Sequence, residues 1–160
     1  EAALLEVMER PPEVYLKLVG VLDESGMEPV QNRIEKLPFM DWRQLPAVIA
    51  GLDINLMPLE NSLFHWCKSE NKWTEAALVK VPSVMSRNCE MEYVVENGKD
   101  GWMCTTKEEW VNALEALVTD EKARKAMGEA AHQKVMEHYL TVNTGKDAME
   151  ELLCSESYTK

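Results

Sequence analysis

No apolar run in this 160-residue chain approaches the ~18–20 residues a membrane-spanning helix needs, and its first residues lack the pattern of a secretory leader. Both absences give the expectation of a cytoplasmic protein with no membrane span. Basic residues are scarce: 17 Lys and Arg face 28 Asp and Glu, a net charge of −11. Phosphate backbones and anionic lipid surfaces are gripped by clustered Lys and Arg, so a nucleic-acid partner is not expected. The acidic groups are spread along the chain, as on a solvated surface. Paired cysteines are missing too. Cys67, Cys89, Cys104 and Cys154 form no C-x-x-C, and His65, His132 and His138 do not fall at ligand spacing from them. Free thiols are expected, with no disulfide frame, no metal and no cofactor. There is no internal repeat and no low-complexity segment.

What is present is apolar residue in quantity, 46 % of the chain, enough for one compact domain with a core. Glu1–Met8 reads as a helix already in progress, with Ala3, Leu4, Val7 and Met8 on one stripe. A chain opening inside a helix without a starting Met gives the expectation of a domain over residues 1–154 truncated at its N-terminus, with a polar tail at 155–160. Pro11–Pro12 stop that helix. Five short apolar segments then read as strands: Val14–Gly20, Asn32–Leu37, Asp53–Pro58, Val81–Ser86 and Trp102–Cys104. Between them, residues 21–31 read as a loop with room for one helical turn. A helix is expected from Asp41, its N-cap, with Leu45, Val48, Ile49 and Leu52 buried and Pro46 tolerated in the first turn. Leu59–Cys67 reads as a long loop, and Ser69 as the cap of a helix reaching Val79. Arg87–Tyr93 reads as a polar loop or short helix, and Glu96–Gly101 as glycine turns with φ > 0. Thr106-x-x-Glu109 is a capping box for a helix burying Trp110, Ala113, Leu114 and Leu117. Asp120 caps a helix to about His138, and a last helix is expected over Asn143–Leu153. Strands alternating with helices predict an α/β fold: a parallel, Rossmann-like sheet covered by helices on both faces.

Ligands of such sheets sit beyond the carboxyl ends of the strands, here the loops after Gly20, Leu37, Pro58, Ser86 and Cys104. The segment Cys67–Val79, C-K-S-E-N-K-W-T-E-A-A-L-V, opens a helix at that edge, where unpaired N–H groups and the helix dipole favour an anion such as a diphosphate. On a helix starting near Ser69, Lys68, Asn71, Lys72 and Glu75 share one face, while Trp73, Ala76, Ala77 and Lys80 lie on another that packs on the sheet. Two lysines at a helix start suit a diphosphate, and Glu75 suits a pair of sugar hydroxyls. The same residues also suit an ordinary exposed face with Lys72 and Glu75 ion-paired. The loop aromatics Phe64 and Trp66 fit either stacking on a sugar or base, or packing. The ten methionines read as core filler.

Glu75-Ala-Ala-Leu, then Val81-Pro-Ser-Val-Met-Ser86, then Val94–Trp102 (V-V-E-N-G-K-D-G-W), resemble the C-terminal half of retaining GT-B glycosyltransferases of the group 1 type. Ile34–Leu45, Asp53–Pro58 and the Trp110–Tyr139 stretch extend the resemblance over nearly the whole chain. It implies one half of a GT-B fold, binding a nucleoside diphosphate sugar for retaining transfer to a glycan or lipid acceptor, as in polysaccharide biosynthesis. It also implies a missing N-terminal domain that carries the acceptor site, without which the fragment is inactive. Glu75 matches the family glutamate that holds the donor ribose, and Ser69 and the backbone around Lys72 would lie near the diphosphate. The family's earlier glutamate falls at Cys67 here, which leaves part of the donor contact to Lys68 and Lys72. The donor-binding set implied is therefore Lys68, Ser69, Lys72 and Glu75, with no catalytic residue assigned. The alternative is a non-catalytic α/β interaction module, which the cysteine at position 67 favours. A sugar-nucleotide epimerase on the same fold fits less well, because its histidine and paired acids have no counterpart.

Overall fold

A computed structural model describes residues 2–10, 13–21, 25–60 and 62–146. The described elements run α1 (Ala2–Glu9), β1 (Leu16–Val19), a 3-10 helix (Glu28–Arg33), β2 (Ile34–Leu37), α2 (Leu45–Ile49), β3 (Asn55–Met57) and α3 (Leu63–Trp66). They continue with α4 (Asn71–Leu78), β4 (Ser83–Ser86), α5 (Cys89–Val94), β5 (Trp102–Cys104), α6 (Lys107–Thr119) and α7 (Glu121–His138). Residues 141–146 are helical, and the remainder of the expected last helix and the polar tail lie outside the described residues.

All five expected strands form, β5 with the expected bounds and the other four shortened, and every pairing is parallel. They do not make one continuous ladder. β1 pairs with β2, and β3, β4 and β5 pair in that order as a second sheet. In the second sheet the pleat sorts the apolar side chains into two rows. Met57, Met85 and Met103, in register across three strands, face Trp73 and Ala77 of α4 and Ala131 and Val135 of α7. Leu56, Val84 and Cys104 face the other way, toward Val7 of α1 and Val111, Leu114 and Leu117 of α6. Helices thus cover both faces, as a buried parallel sheet requires. Three of the methionines form an ordered row across the sheet rather than irregular filler. The first sheet has one packed face, where Met8, Met27 and Val30 meet Leu16 and Ile34.

Several local expectations need correction. Asp41 caps no helix: its carboxylate binds the Arg43 N–H at 2.9 Å and the Arg43 guanidinium at 3.1 Å, and α2 starts four residues later with Pro46 in its first turn. The loop after β3 contains α3, capped by Ser62, whose hydroxyl accepts from His65 N–H at 3.4 Å. Trp110 is half-buried while Val111 is buried. Gly98 has φ +83°, as expected, but Gly101 does not lie at positive φ. A Cβ there would stand 2.9 Å from Val95 Cγ1 and 3.0 Å from Met85 Cε, so close packing selects that glycine. The Thr106–Glu109 capping box and the Asp120 cap form as the sequence indicates, with α7 ending at His138.

Candidate functional site

Ser86 Oγ accepts from Leu59 N–H at 2.9 Å, tying the loop after β3 to the end of β4. That loop leads through α3 and a short connection, 67–70, into α4. Glu70 takes the cap position of α4 and makes no side-chain capping bond, so Ser69 is not the cap that its position suggested. The first N–H groups of α4 therefore have no side-chain acceptor, which leaves the positive end of the helix open to an anion.

Starting the helix at Asn71 rather than Ser69 separates the candidates. Lys72 and Glu75 sit on α4, both exposed, opposite the buried Trp73, Ala76 and Ala77. Lys68 and Ser69 precede the helix, and the Lys68 ammonium lies 4.5 Å above the ring of Phe64, a cation–π contact. Among the described residues no ion pair joins Lys72 to Glu75, and no hydrogen bond engages the side chains of Ser69, Lys72 or Glu75. The surface ion pair weighed from the spacing is not formed. Phe64 and Trp66 are exposed, so neither is core packing.

The face of α4 turned inward is held by contacts that no local pattern announced. Trp73 is fully buried, donates Nε1–H to the Asp100 carbonyl at 2.9 Å, and meets Tyr139 edge-on with centroids 5.9 Å apart. Burial, with the Glu70 and Asp100 carboxylates nearby, pushes the Tyr139 phenol above its ordinary pKa. Asn55 Nδ2 reaches Ser83 Oγ at 3.0 Å and the Lys72 carbonyl at 3.4 Å, linking α4 to β3 and β4. Asp100 itself, read in the sequence only as half of an Asp-Gly turn, is a buried carboxylate. One oxygen accepts Glu96 N–H at 2.8 Å and the other pairs with Lys134 Nζ at 2.6 Å, which also reaches the Val94 carbonyl at 2.7 Å. The Asp100–Lys134 link fastens α7 to the turn behind α4.

The thiols divide by environment. Cys67 and Cys89 are exposed, whereas Cys104 is buried and its pKa is pushed up to about 11, chiefly by burial. A thiolate is the reactive form, so Cys104 is inert at neutral pH. Iodoacetamide labelling of the folded chain at pH 8 is expected to modify Cys67 and Cys89 and to spare Cys104 until denaturant is added. Mass spectrometry of the peptides reads this directly, and native labelling of Cys104 would contradict the described packing of β5.

A surface groove of about 610 Å³ runs between α1 and α6, lined by residues including Val7, Arg10, Asn112 and Glu115. It shares no residue with 67–75, and Arg10 within it is already paired with Glu6 and Glu115. The α3–α4 segment presents an exposed shelf rather than a closed cavity. Its helix start has no side-chain cap, and Lys68, Lys72 and Glu75 are exposed on it.

The sequence model of the family described as "Glycosyl transferases group 1" matches residues 1–120. No curated protein sequence matches the chain. Among solved structures, the chain is similar to the C-terminal domain of a glycosyl transferase group 1 family protein, LpcC, from Francisella tularensis. That match has 15 % identity and a TM-score of 0.66, and covers 86 % of this chain and 75 % of that one. HepE of Anabaena, solved in complex with UDP and glucose, gives 18 % identity and TM-score 0.71 over 94 % of this chain and 44 % of that one. TarM of S. aureus gives 13 % and 0.72 over 95 % and 31 %. The chain thus spans less than half of HepE and of TarM. The shared fold is the C-terminal half of a GT-B glycosyltransferase.

Proposed function

Because the chain belongs to the glycosyl transferases group 1 family, we propose that it is the donor-binding domain of a retaining glycosyltransferase that moves a sugar from a nucleoside diphosphate to a glycan or lipid acceptor. The observation that carries this reading is the α3–α4 segment, inside the matched region. There the helix start after β3 has no side-chain cap, Ser69 precedes it, and Lys72 and Glu75 are exposed on its outer face, with no side-chain hydrogen bond or ion pair to any of the three among the described residues. A diphosphate would take the N–H groups of the first turn and the Lys72 ammonium, and Glu75 would accept from ribose hydroxyls. Lys68, held over Phe64, adds positive charge at the entrance. As the donor bond breaks, charge grows on the departing diphosphate, and fixed dipoles and ammonium groups stabilise it without reorganising.

The acceptor would come from a second domain. Val21, Phe39, Trp42, Leu63, Phe64 and Tyr93, all exposed, each follow the carboxyl end of a strand, and that side is where such a domain would close. HepE, solved with UDP and glucose, extends well beyond the matched region, in keeping with this division of labour.

Titration calorimetry with UDP, GDP, ADP and CDP tests the reading. One nucleotide is expected to bind in the micromolar-to-millimolar range, with Lys72→Ala and Glu75→Ala each weakening it about tenfold or more, a loss of about 1.4 kcal/mol. Both side chains are exposed, so the variants should keep the parent's circular dichroism and melting temperature. Equal binding by parent and variants would remove these residues from the site. A second reading, a non-catalytic interaction module, draws on Cys67, an exposed thiol where the resemblance places a donor-binding glutamate. Failure of every nucleotide to bind a two-domain form would favour it.

A further inference from the structure

Resting on the donor-binding reading, we infer that Phe64 is a positioning residue: its ring holds the Lys68 ammonium, unneutralised, before the start of α4, ready for the donor's diphosphate. Phe64 is 69 % exposed and belongs to none of the apolar clusters among the described residues, so packing does not account for it. One face of its ring is already in use. The Lys68 ammonium stands over it, 4.5 Å from the centroid, within the reach of a cation–π attraction. The His65 ring meets the same ring edge-on, with centroids 5.3 Å apart and planes at 79°. The sequence left Phe64 between stacking on a ligand and packing in the core, and the structure gives its ring a third occupation.

Local turns bring these groups together. Ser62 fixes the start of α3: its hydroxyl accepts His65 N–H at 3.4 Å and lies 2.8 Å from His65 Nδ1, and its carbonyl accepts Trp66 N–H at 2.9 Å. Past the helix the backbone keeps turning, with Lys68 N–H bonded to the His65 carbonyl at 3.2 Å. Residues 64 and 68, four apart, therefore fall on one side of the turn. Among the described residues no carboxylate pairs with Lys68, although Glu70 lies two positions on. That distinction matters for an anion. A carboxylate partner cancels a lysine's charge, whereas the negative face of a neutral ring orients the ammonium and leaves its net charge in place. Some of the side-chain freedom that binding removes is thus removed beforehand. Lys72, exposed on α4 with no side-chain partner among the described residues, has no such preparation.

Inorganic pyrophosphate is the probe, because it carries the diphosphate without base or sugar. It is titrated into the 160-residue chain and followed by NMR of the lysine side chains. Phe64→Leu keeps the apolar bulk and removes the ring, and is expected to weaken binding about threefold, with Lys68→Met weakening it at least as much. Phe64→Trp, which strengthens the ring contact, should match or exceed the parent. In the Lys68→Met background Phe64→Leu should add no further loss. The ring should also move the Lys68 ε-methylene protons upfield of the other lysines, and Phe64→Leu should abolish that displacement. Both side chains are exposed, so the variants should keep the parent's melting temperature. Four results overturn the inference: parent-like affinity of Phe64→Leu, an equal loss from it in both backgrounds, no upfield displacement at Lys68, or no pyrophosphate binding by the parent. The donor-binding reading fails separately. Nucleotides that bind a chain blind to pyrophosphate would leave that reading standing without this role for Phe64. Phe64-dependent pyrophosphate binding with no nucleotide bound would keep the positioning role and remove the donor.

Discussion

Replacing Asp100 with alanine is expected to lower the unfolding free energy by about 3 kcal/mol, a large share of the 5–15 kcal/mol typical of a domain. The Asp100 side chain is 4 % exposed and that of Lys134 is 29 % exposed, so truncation strands an ammonium that water reaches only in part. That residual access sets the cost at the lower end of the range for breaking a buried pair. Truncation also removes the acceptor for Glu96 N–H. At this size 3 kcal/mol corresponds to a fall in melting temperature of roughly 6–12 °C. Asp100→Asn keeps an oxygen for Glu96 N–H and loses only the charge, so its melting point should lie between those of parent and alanine variant. Thermal melts of the three proteins check the order. A parent-like melting point for the alanine variant would mean that α7 docks without this pair.

The strands and the long C-terminal helices were legible because their signals are local. V-Y-L-K-L-V, D-I-N-L-M-P and V-P-S-V-M-S are apolar runs of strand length between turn residues, and Thr106 with Glu109, or Asp120 alone, states where a helix begins. The inward face of α4 was equally plain from Trp73, Ala76 and Ala77. The helix start was not, because Ser69 is a good cap by composition and only the chain path out of α3 decides that Glu70 takes the role. That shift of one residue leaves Ser69 outside the helix start, a consequence no spacing rule contains. Nor does a sequence pattern say which strands share a ladder. The break between β1 and β3 is a matter of long-range pairing, as is the Asp100–Lys134 contact, whose partners lie 34 residues apart. Asp100 was seen as half of a turn dipeptide because its buried partner lies on another element.

Gly128→Ala is expected to destabilise the fold although it replaces glycine inside a helix, where alanine ordinarily gains about 1 kcal/mol. A Cβ at this position of α7 would stand 2.1 Å from the Lys80 carbonyl oxygen and 2.8 Å from its carbon. That carbonyl has little freedom to retreat. Lys80 sits at φ 63° in the turn closing α4, with Lys80 N–H bonded to the Ala77 carbonyl and Val81 N–H to the Ala76 carbonyl, both at 3.0 Å. These two bonds are the paired closure of a helix end through a left-handed residue. The side chains beside it, Lys80 with Glu129 at 2.8 Å and His132 Nδ1 with the Ala77 carbonyl at 3.1 Å, hold the same two helices together. The clash must therefore be relieved by moving α7 away from α4. Overpacking of this kind costs about 1–3 kcal/mol and occasionally more, and a backbone obstacle puts it at the upper end, so a net loss of about 2 kcal/mol remains. Melts should show a fall of roughly 4–8 °C. Because α7 braces the end of α4 through Glu129 and His132, its withdrawal loosens α4 too, so on the donor-binding proposal nucleotide affinity measured well below the melting point should also fall, through the altered placement of Lys72 and Glu75. An unchanged melting point would mean that α7 does not approach the end of α4 this closely. A lowered melting point with unchanged affinity would instead mean that the shelf keeps its shape while α7 yields.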